Sequence, residues 1–308
     1  MKKLFRSILL VLINVPAIVF AQNKKEVLSP VQFEHLRINV ANKVATAKWY
    51  VENVGLEIIP SPDDQFIYVA DKDHNFMLEL SSIPNIRNTY FDIHIDAFHM
   101  AFEGHKSIRQ VSEKMLANGG VQEGVLYTNL IGDYVMNVRD PNGFTSQLLY
   151  RVNPFFSKPL KSTIRFEHFA FNTPDQKISA LWFVEFMDLN IPWSKDIDTT
   201  KNNYRNYRVP YVGDVGRNMS LELFGKKEVE MTFAKMSHEE CHIAFATNDP
   251  EKLAKRMVYG GAKIIGAVQK RSNGDMIIDL VDPSNFPIRL IKRKKQVLEN
   301  SHIKKEKK

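Results

Sequence analysis

The stretch FEHLRINVANK, Phe33 to Lys43, decides the fold, because the chain writes it a second time as FEHFAFNTPDQ from Phe166 to Gln176. At a constant offset of 133, Phe33, Glu34, His35, Asn39, Trp49, Val51, Glu52 and Leu56 fall on Phe166, Glu167, His168, Asn172, Trp182, Val184, Glu185 and Leu189. A gap-free match of that length marks an internal duplication. Two domains are therefore expected in 308 residues, each near the usual size of about 100–150 residues.

Each half divides again into two units that open alike, on FEHLRINV, FHMAFEG, FEHFAFNT and CHIAFATN, so that His35, His99, His168 and His242 correspond. Thr173-Pro174-Asp175-Gln176 reads as a capping box with proline at the first helical position, and Asp249-Pro250 repeats the cap-then-proline pattern. Gly119-Gly120 and Gly260-Gly261 stop the second helix of each half, and Asp140-Pro141-Asn142-Gly143 and Asp282-Pro283-Ser284-Asn285 turn the chain into its final strands. The expected order is strand, helix and three strands, four times over, an α+β architecture with a helix on one face of each small sheet. The expected domains are residues 31–151 and 163–292, joined by a linker at 152–162.

Residues 1–21 read as an export signal: Lys2, Lys3 and Arg6 precede an apolar run that ends at the small residues of Val19-Phe20-Ala21. The run is shorter than the roughly 20 residues a spanning helix needs, and Asn14 and Pro16 interrupt it, so no stable membrane anchor is expected. The mature chain is expected in the periplasm or outside the cell. Its single cysteine, Cys241, forms no internal disulfide, and the core alone must stabilise the fold. The net charge of +7 sits in the signal and in the basic tail at 293–308, leaving a near-neutral body that predicts no nucleic-acid groove. The tail reads as a solvated, frayed end.

Strand alternation puts Phe33, His35, Arg37 and Asn39 on one face, with Leu36, Ile38 and Val40 on the other. Glu79 sits between two leucines, as does Glu222 with Leu221 and Leu223, and a buried carboxylate needs a metal or a basic side chain beside it. His74, His94, His105, His238 and His302 read as structural histidines, Trp49 and Trp182 as core packing, and Cys241 as an inert buried thiol.

The repeated FEH strand, the mid-domain LEL, the second histidine strand and the DPNGFTSQL ending resemble the vicinal oxygen chelate superfamily, which includes glyoxalase I, bleomycin-binding proteins and extradiol dioxygenases. The resemblance implies two tandem domains, each of two βαβββ modules forming a cupped mixed sheet, with a metal cup in each. By halves, it implies His35, Glu79, His99 and Gln147 in the first cup and His168, Glu222, His242 and Arg289 in the second. Two imidazoles and a carboxylate suit a divalent Fe, Mn, Zn, Co or Ni ion. The first cup is expected to hold it, with bound water, Glu103 or another group moving protons. Arg289 is expected to leave the second cup metal-free by pairing with Glu222, or else to bind an anionic substrate group beside a metal on His168, Glu222 and His242, under a lid carrying Tyr204, Arg205, Tyr207 and Arg208. The expected activity is that of a lyase, isomerase or epimerase acting on a small oxygen-rich molecule. Extradiol-type oxygenation and metal-free binding of a small ligand are the alternatives.

Overall fold

The computed structural model describes residues 30–104, 108–128, 132–154, 163–193, 209–214, 219–225 and 235–298. The expected export signal, most of the linker and the four expected lid residues lie outside them. The first unit runs β1 (Gln32–Asn39), α1 (Lys43–Asn53), β2 (Glu57–Ile59), β3 (Ile67–Ala70) and β4 (Met77–Ser81). The second runs β5 (Phe98–Gly104), α2 (Ile108–Ala117), β6 (Val121–Thr128), β7 (Tyr134–Arg139) and β8 (Thr145–Tyr150). The third comprises β9 (Ile164–Asn172), α3 (Gln176–Met187), β10 (Asn190–Trp193), β11 (Tyr211–Gly213) and β12 (Ser220–Phe224). The fourth comprises β13 (Cys241–Ala246), α4 (Pro250–Tyr259), β14 (Lys263–Ile264), β15 (Gln269–Lys270), β16 (Met276–Val281) and β17 (Pro287–Lys292), its first return strand being split in two.

The α+β fold of four βαβββ units in two mixed sheets is as expected, but each sheet takes one unit from each half. The nine-stranded sheet has the order β14-β16-β17-β13-β1-β4-β3-β2, with β15 also on β16, and so joins the first unit to the fourth. The eight-stranded sheet has the order β10-β11-β12-β9-β5-β8-β7-β6 and joins the second unit to the third. Antiparallel seams, β1 against β13 and β5 against β9, make the two joints. The helices keep the sequential pairing, α1 with α2 and α3 with α4, each packed on the return strands of its own unit. Trp49 Nε1 donates to the Asn118 carbonyl at 2.8 Å and Trp182 Nε1 to that of Gly260 at 2.7 Å, so both tryptophans staple these helix pairs as well as fill the core. One continuous apolar cluster runs through both sheets, with Phe171 stacked on Phe286 at 3.9 Å between ring centroids.

Local signals act mostly where the residues place them. Asp249 caps α4, with Pro250 as its first residue. Asp175 itself caps α3 by accepting from Lys177 N and Ile178 N, so Pro174 lies one residue before the cap rather than inside the helix. Gly119 and Gly261 adopt φ of +88° and +93°, the left-handed geometry that ends α2 and α4. A register shift between Phe33 and His35 leaves Glu34 as a β-bulge. Phe33 therefore turns into the core against Phe245, not onto the face of His35 as strict alternation predicts. The seam of β9 with β5 carries the same irregularity at Glu167. The start of the basic tail is packed rather than frayed: Arg293 is hydrogen-bonded to Glu34 and Asp275, and Leu298 is buried in a small cluster with Ile59, Phe66 and Met77. Among the described residues no helix is long and apolar enough to cross a membrane.

The two final turns are built alike. Asp140 Oδ1 accepts from Asn142 N and Phe144 N, and Asp282 Oδ1 accepts from Ser284 N and Phe286 N. Burial pushes these carboxyls up, to about 6 for Asp140 and about 7 for Asp282, with the backbone N–H groups offsetting only part of the effect. Because both native values lie above the usual aspartate value, the native state holds the extra protons, and stability from this source falls as pH rises from about 4 to 7. Asp282→Asn keeps an oxygen acceptor without the charge, so urea denaturation across that range should show a shallower loss for the variant than for the unaltered chain.

Candidate metal centre

The seams decide which histidines meet. In the eight-stranded sheet, Ala170 is paired with His99 on one side and with Glu222 on the other, and Glu222 is paired in turn with Tyr211. In the adjacent row His168 is paired with Ala101, and Ala101 with Gln147. Paired residues share a sheet face, and residues two apart on one strand do too. His99, His168 and Glu222 thus converge over Ala170, with their ligand atoms within 4.8 Å of one another. The nine-stranded sheet repeats the layout: Arg37 is paired with both His242 and Glu79, and His35, Glu79 and His242 converge over it.

The expected grouping by halves is therefore corrected. His35 and Glu79 share a cup with His242 and Arg289, while His168 and Glu222 share theirs with His99 and Gln147. The repeat offset identifies equivalent residues, but sheet pairing, which crosses between halves, decides neighbours. Arg289 does not meet Glu222; its Nε and Nη2 donate to Asp279 at 2.7 and 2.8 Å. Glu103, expected as a proton carrier, is engaged by Arg165 at 2.7 and 3.0 Å and lies four residues along β5 from His99, about 13 Å at strand spacing.

Both cups orient their histidines through a shell that sequence reading passed over. The bulge at Glu167 lets its carboxylate meet the neighbouring His168 Nδ1 at 2.8 Å, and Arg151 grips the same carboxylate at 2.6 and 2.7 Å while reaching Asp133 at 2.7 Å. Glu34, His35, Arg293 and Asp275 repeat the arrangement. Although burial opposes their charge, the arginines and histidines beside Glu34 and Glu167 hold both carboxyls down at about 2. Tyr211 donates to Glu222 and Tyr68 to Glu79. Each tyrosine stands 143 residues from its counterpart, the offset that relates the two glutamates, so extending the repeat would have found them.

These contacts fix the tautomers. A carbonyl only accepts, so His99 Nδ1, 2.7 Å from the Ile95 carbonyl, carries the ring proton of a neutral imidazole. His242 Nδ1 does the same at the His238 carbonyl, 2.6 Å away. All four Nε2 atoms turn into the cups. In the His168 cup the His168 and His99 Nε2 atoms lie 3.4 Å apart, with Glu222 Oε2 at 2.9 and 3.6 Å from them. Three lone-pair donors so close require a shared proton or cation. Against burial, Glu222 and Glu167 raise the pKa of His168, and the two histidines hold Glu222 well below the usual carboxylate range. His242 runs the opposite way: burial, then Arg289 and Arg37, drive its pKa well down.

A cavity of about 500 Å³ opens on the His168 cup, lined by His94, Asp96, Tyr127, Asn137, Gln147 and Tyr211 among others, with His99 and Glu222 in its wall. His94, expected to be only structural, is thus on the cavity. Of the other histidines given that reading, His74 pairs with Glu57 and His238 donates to the Leu280 carbonyl at 2.9 Å, while His105 and His302 lie outside the described residues. Cys241 is buried in the core, where burial pushes its thiol well up.

Among solved structures, the chain matches glyoxalase I from Zea mays with a TM-score of 0.64 at 18% identity, covering 85% of this chain and 92% of that one. It also matches a putative dioxygenase from Bacillus subtilis with a TM-score of 0.58 at 12% identity, covering 89% of each. The chain shares the fold of these glyoxalase and dioxygenase structures, as the sequence resemblance implies. No protein-family model matches the sequence, and no curated protein does.

The His168 cup fits a divalent ion by its own chemistry: two imidazole nitrogens and a carboxylate within reach of one another, with the Gln147 amide nearby. A carboxylate on the far nitrogen of a ligating histidine raises its basicity, and loss of such a partner typically costs about 10–100-fold in metal affinity. Glu167→Gln should therefore weaken Ni(II) binding by about that factor in a calorimetric titration, whereas Glu34→Gln, behind the other cup, should leave it unchanged.

Proposed function

We propose that the chain is a divalent-metal-dependent lyase, isomerase or epimerase acting on a small oxygen-rich molecule bound in the cavity walled by His99 and Glu222. One observation carries this reading: His99, His168 and Glu222 present fixed lone pairs to one point at the wall of an open cavity of about 500 Å³. A bound Fe, Mn, Zn, Co or Ni ion would supply Lewis-acid polarisation of a substrate oxygen. The chain's residues then hold the ion, orient the substrate and move its protons. Glu222, 8% exposed, is the triad carboxylate bordering the cavity and the group placed to exchange a proton with substrate. Tyr211 donates to its other oxygen and fixes its direction. Gln147 and Asn137 offer amide groups to hydroxyl or carbonyl oxygens without adding charge.

Two histidines and one carboxylate also suit Fe(II) oxygen chemistry, so ring-cleaving oxygenation is the second reading, distinguished by oxygen consumption. The basic start and apolar run of residues 1–21 support an exported protein as part of the proposal.

The test is elemental analysis of the chain purified with minimal chelator, followed by assays on dicarbonyl and sugar-like substrates before and after chelation. The expected result is about one ion per chain, lost in His99→Ala and in His168→Ala, with turnover that stops on chelation and returns with metal. Absence of metal after reconstitution with Fe(II), Mn(II), Zn(II), Co(II) and Ni(II) would sink this reading and favour a metal-free binding protein.

A further inference from the structure

The two cups share their histidines, glutamates and tyrosines, yet they differ at the position in the middle of each. Ala170 and Arg37 are equivalent in the repeat, and each is paired across the sheet with the second histidine and the glutamate of its own cup. At Ala170 a methyl group brings neither charge nor hydrogen-bond donor to the cup. At Arg37 a guanidinium is ion-paired with the cup's glutamate: Nε lies 2.6 Å from Glu79 Oε1, with the two side chains 4% and 1% exposed, while His35 Nε2 and His242 Nε2 accept no hydrogen bond from the described residues. The Arg37 head is held from behind by the Phe66 ring, 4.1 Å from its centroid. The surroundings differ in charge as well. Asn137 and Gln147 become Asp279 and Arg289 at an offset of 142, so the His35 cup carries one net positive charge more than its counterpart once Arg37 is included.

We propose that the Arg37 guanidinium is the resident cation of the His35 cup, standing where a divalent ion would otherwise sit on His35, Glu79 and His242. Glu79 has its charge partner already, and an arriving ion must either displace a buried guanidinium from it or enter beside a fixed like charge. The cup then works as a stitch, with Arg37 on β1 tied to Glu79 on β4 beside His242 on β13. The contrast with the His168 cup rests on the proposed function, but the assignment of Arg37 stands without it.

The experiment uses the full chain carrying His168→Ala, which silences the other cup, titrated with Ni(II) alone. With Arg37 intact, no stoichiometric binding is expected. Adding Arg37→Ala, which copies Ala170, should produce about one bound Ni(II) per chain, lost again with His242→Ala. Should Arg37→Ala fail to fold, Arg37→Met retains bulk without charge and is expected to bind Ni(II) more tightly than the parent. Ni(II) bound with Arg37 in place and released by His35→Ala would overturn the proposal, as would folded Arg37 variants that bind none. Failure of the proposed function reads out separately, as a chain with both cups unaltered that takes up no ion.

Discussion

Both cups depend on two antiparallel seams, β1 on β13 and β5 on β9. Neither half of the chain can bring two of its own strand histidines together, since the second strand histidine of each half belongs to the other sheet. The seam register sets the chemistry to within one residue. A slip of one position would turn His99 or His242 into the apolar core and bring a core residue into the cup. Alternate pairing is thus blocked by the same burial that stabilises the fold. Reciprocal hydrogen bonds hold the two sheets in place, from Phe166 N to Asp71 and from Phe33 N to Asp214, each made by the strand that opens one half of the chain to the sheet it does not belong to.

Charged groups this deep need partners, and the bulges at Glu34 and Glu167 give each of these carboxylates the imidazole that follows it. A regular strand would send adjacent residues to opposite faces, separating each glutamate from its histidine. The extra residue brings carboxylate and imidazole to the same side, and an arginine from the end of a neighbouring unit closes the chain of contacts. Removing one partner of such a buried pair leaves an uncompensated charge, at a cost of about 3–5 kcal/mol. The same device therefore contributes to stability, to histidine tautomer and to imidazole basicity.

Much of this was legible in the residues. The duplication, the four βαβββ units, the cap at Asp249 and the stops at Gly119 and Gly261 all follow from short-range patterns. The eight cup residues were also individually recognisable. Their partnership was not, because an internal offset reports descent from a common unit, whereas sheet pairing is a long-range choice made by packing. Pro174 shows a smaller limit: the cap candidates on either side of it, Thr173 and Asp175, compete, and the side chain that reaches the free N–H groups wins. Arg37 lay in the opening stretch throughout. Its weight emerges only when Glu79 and His242 are seen on either side of it and Ala170 is set beside it.

The chain thus reads as one scaffold carrying two copies of a donor set, one opening on a cavity and one closed by its own arginine. The most direct measurement is anomalous diffraction at the absorption edge of the metal in crystals of the Ni(II)-loaded full chain. A single peak within bonding distance of His99, His168 and Glu222, with none over Arg37, is the predicted result. A peak shared by His35, Glu79 and His242, or one joining His35 to His99, would contradict the account.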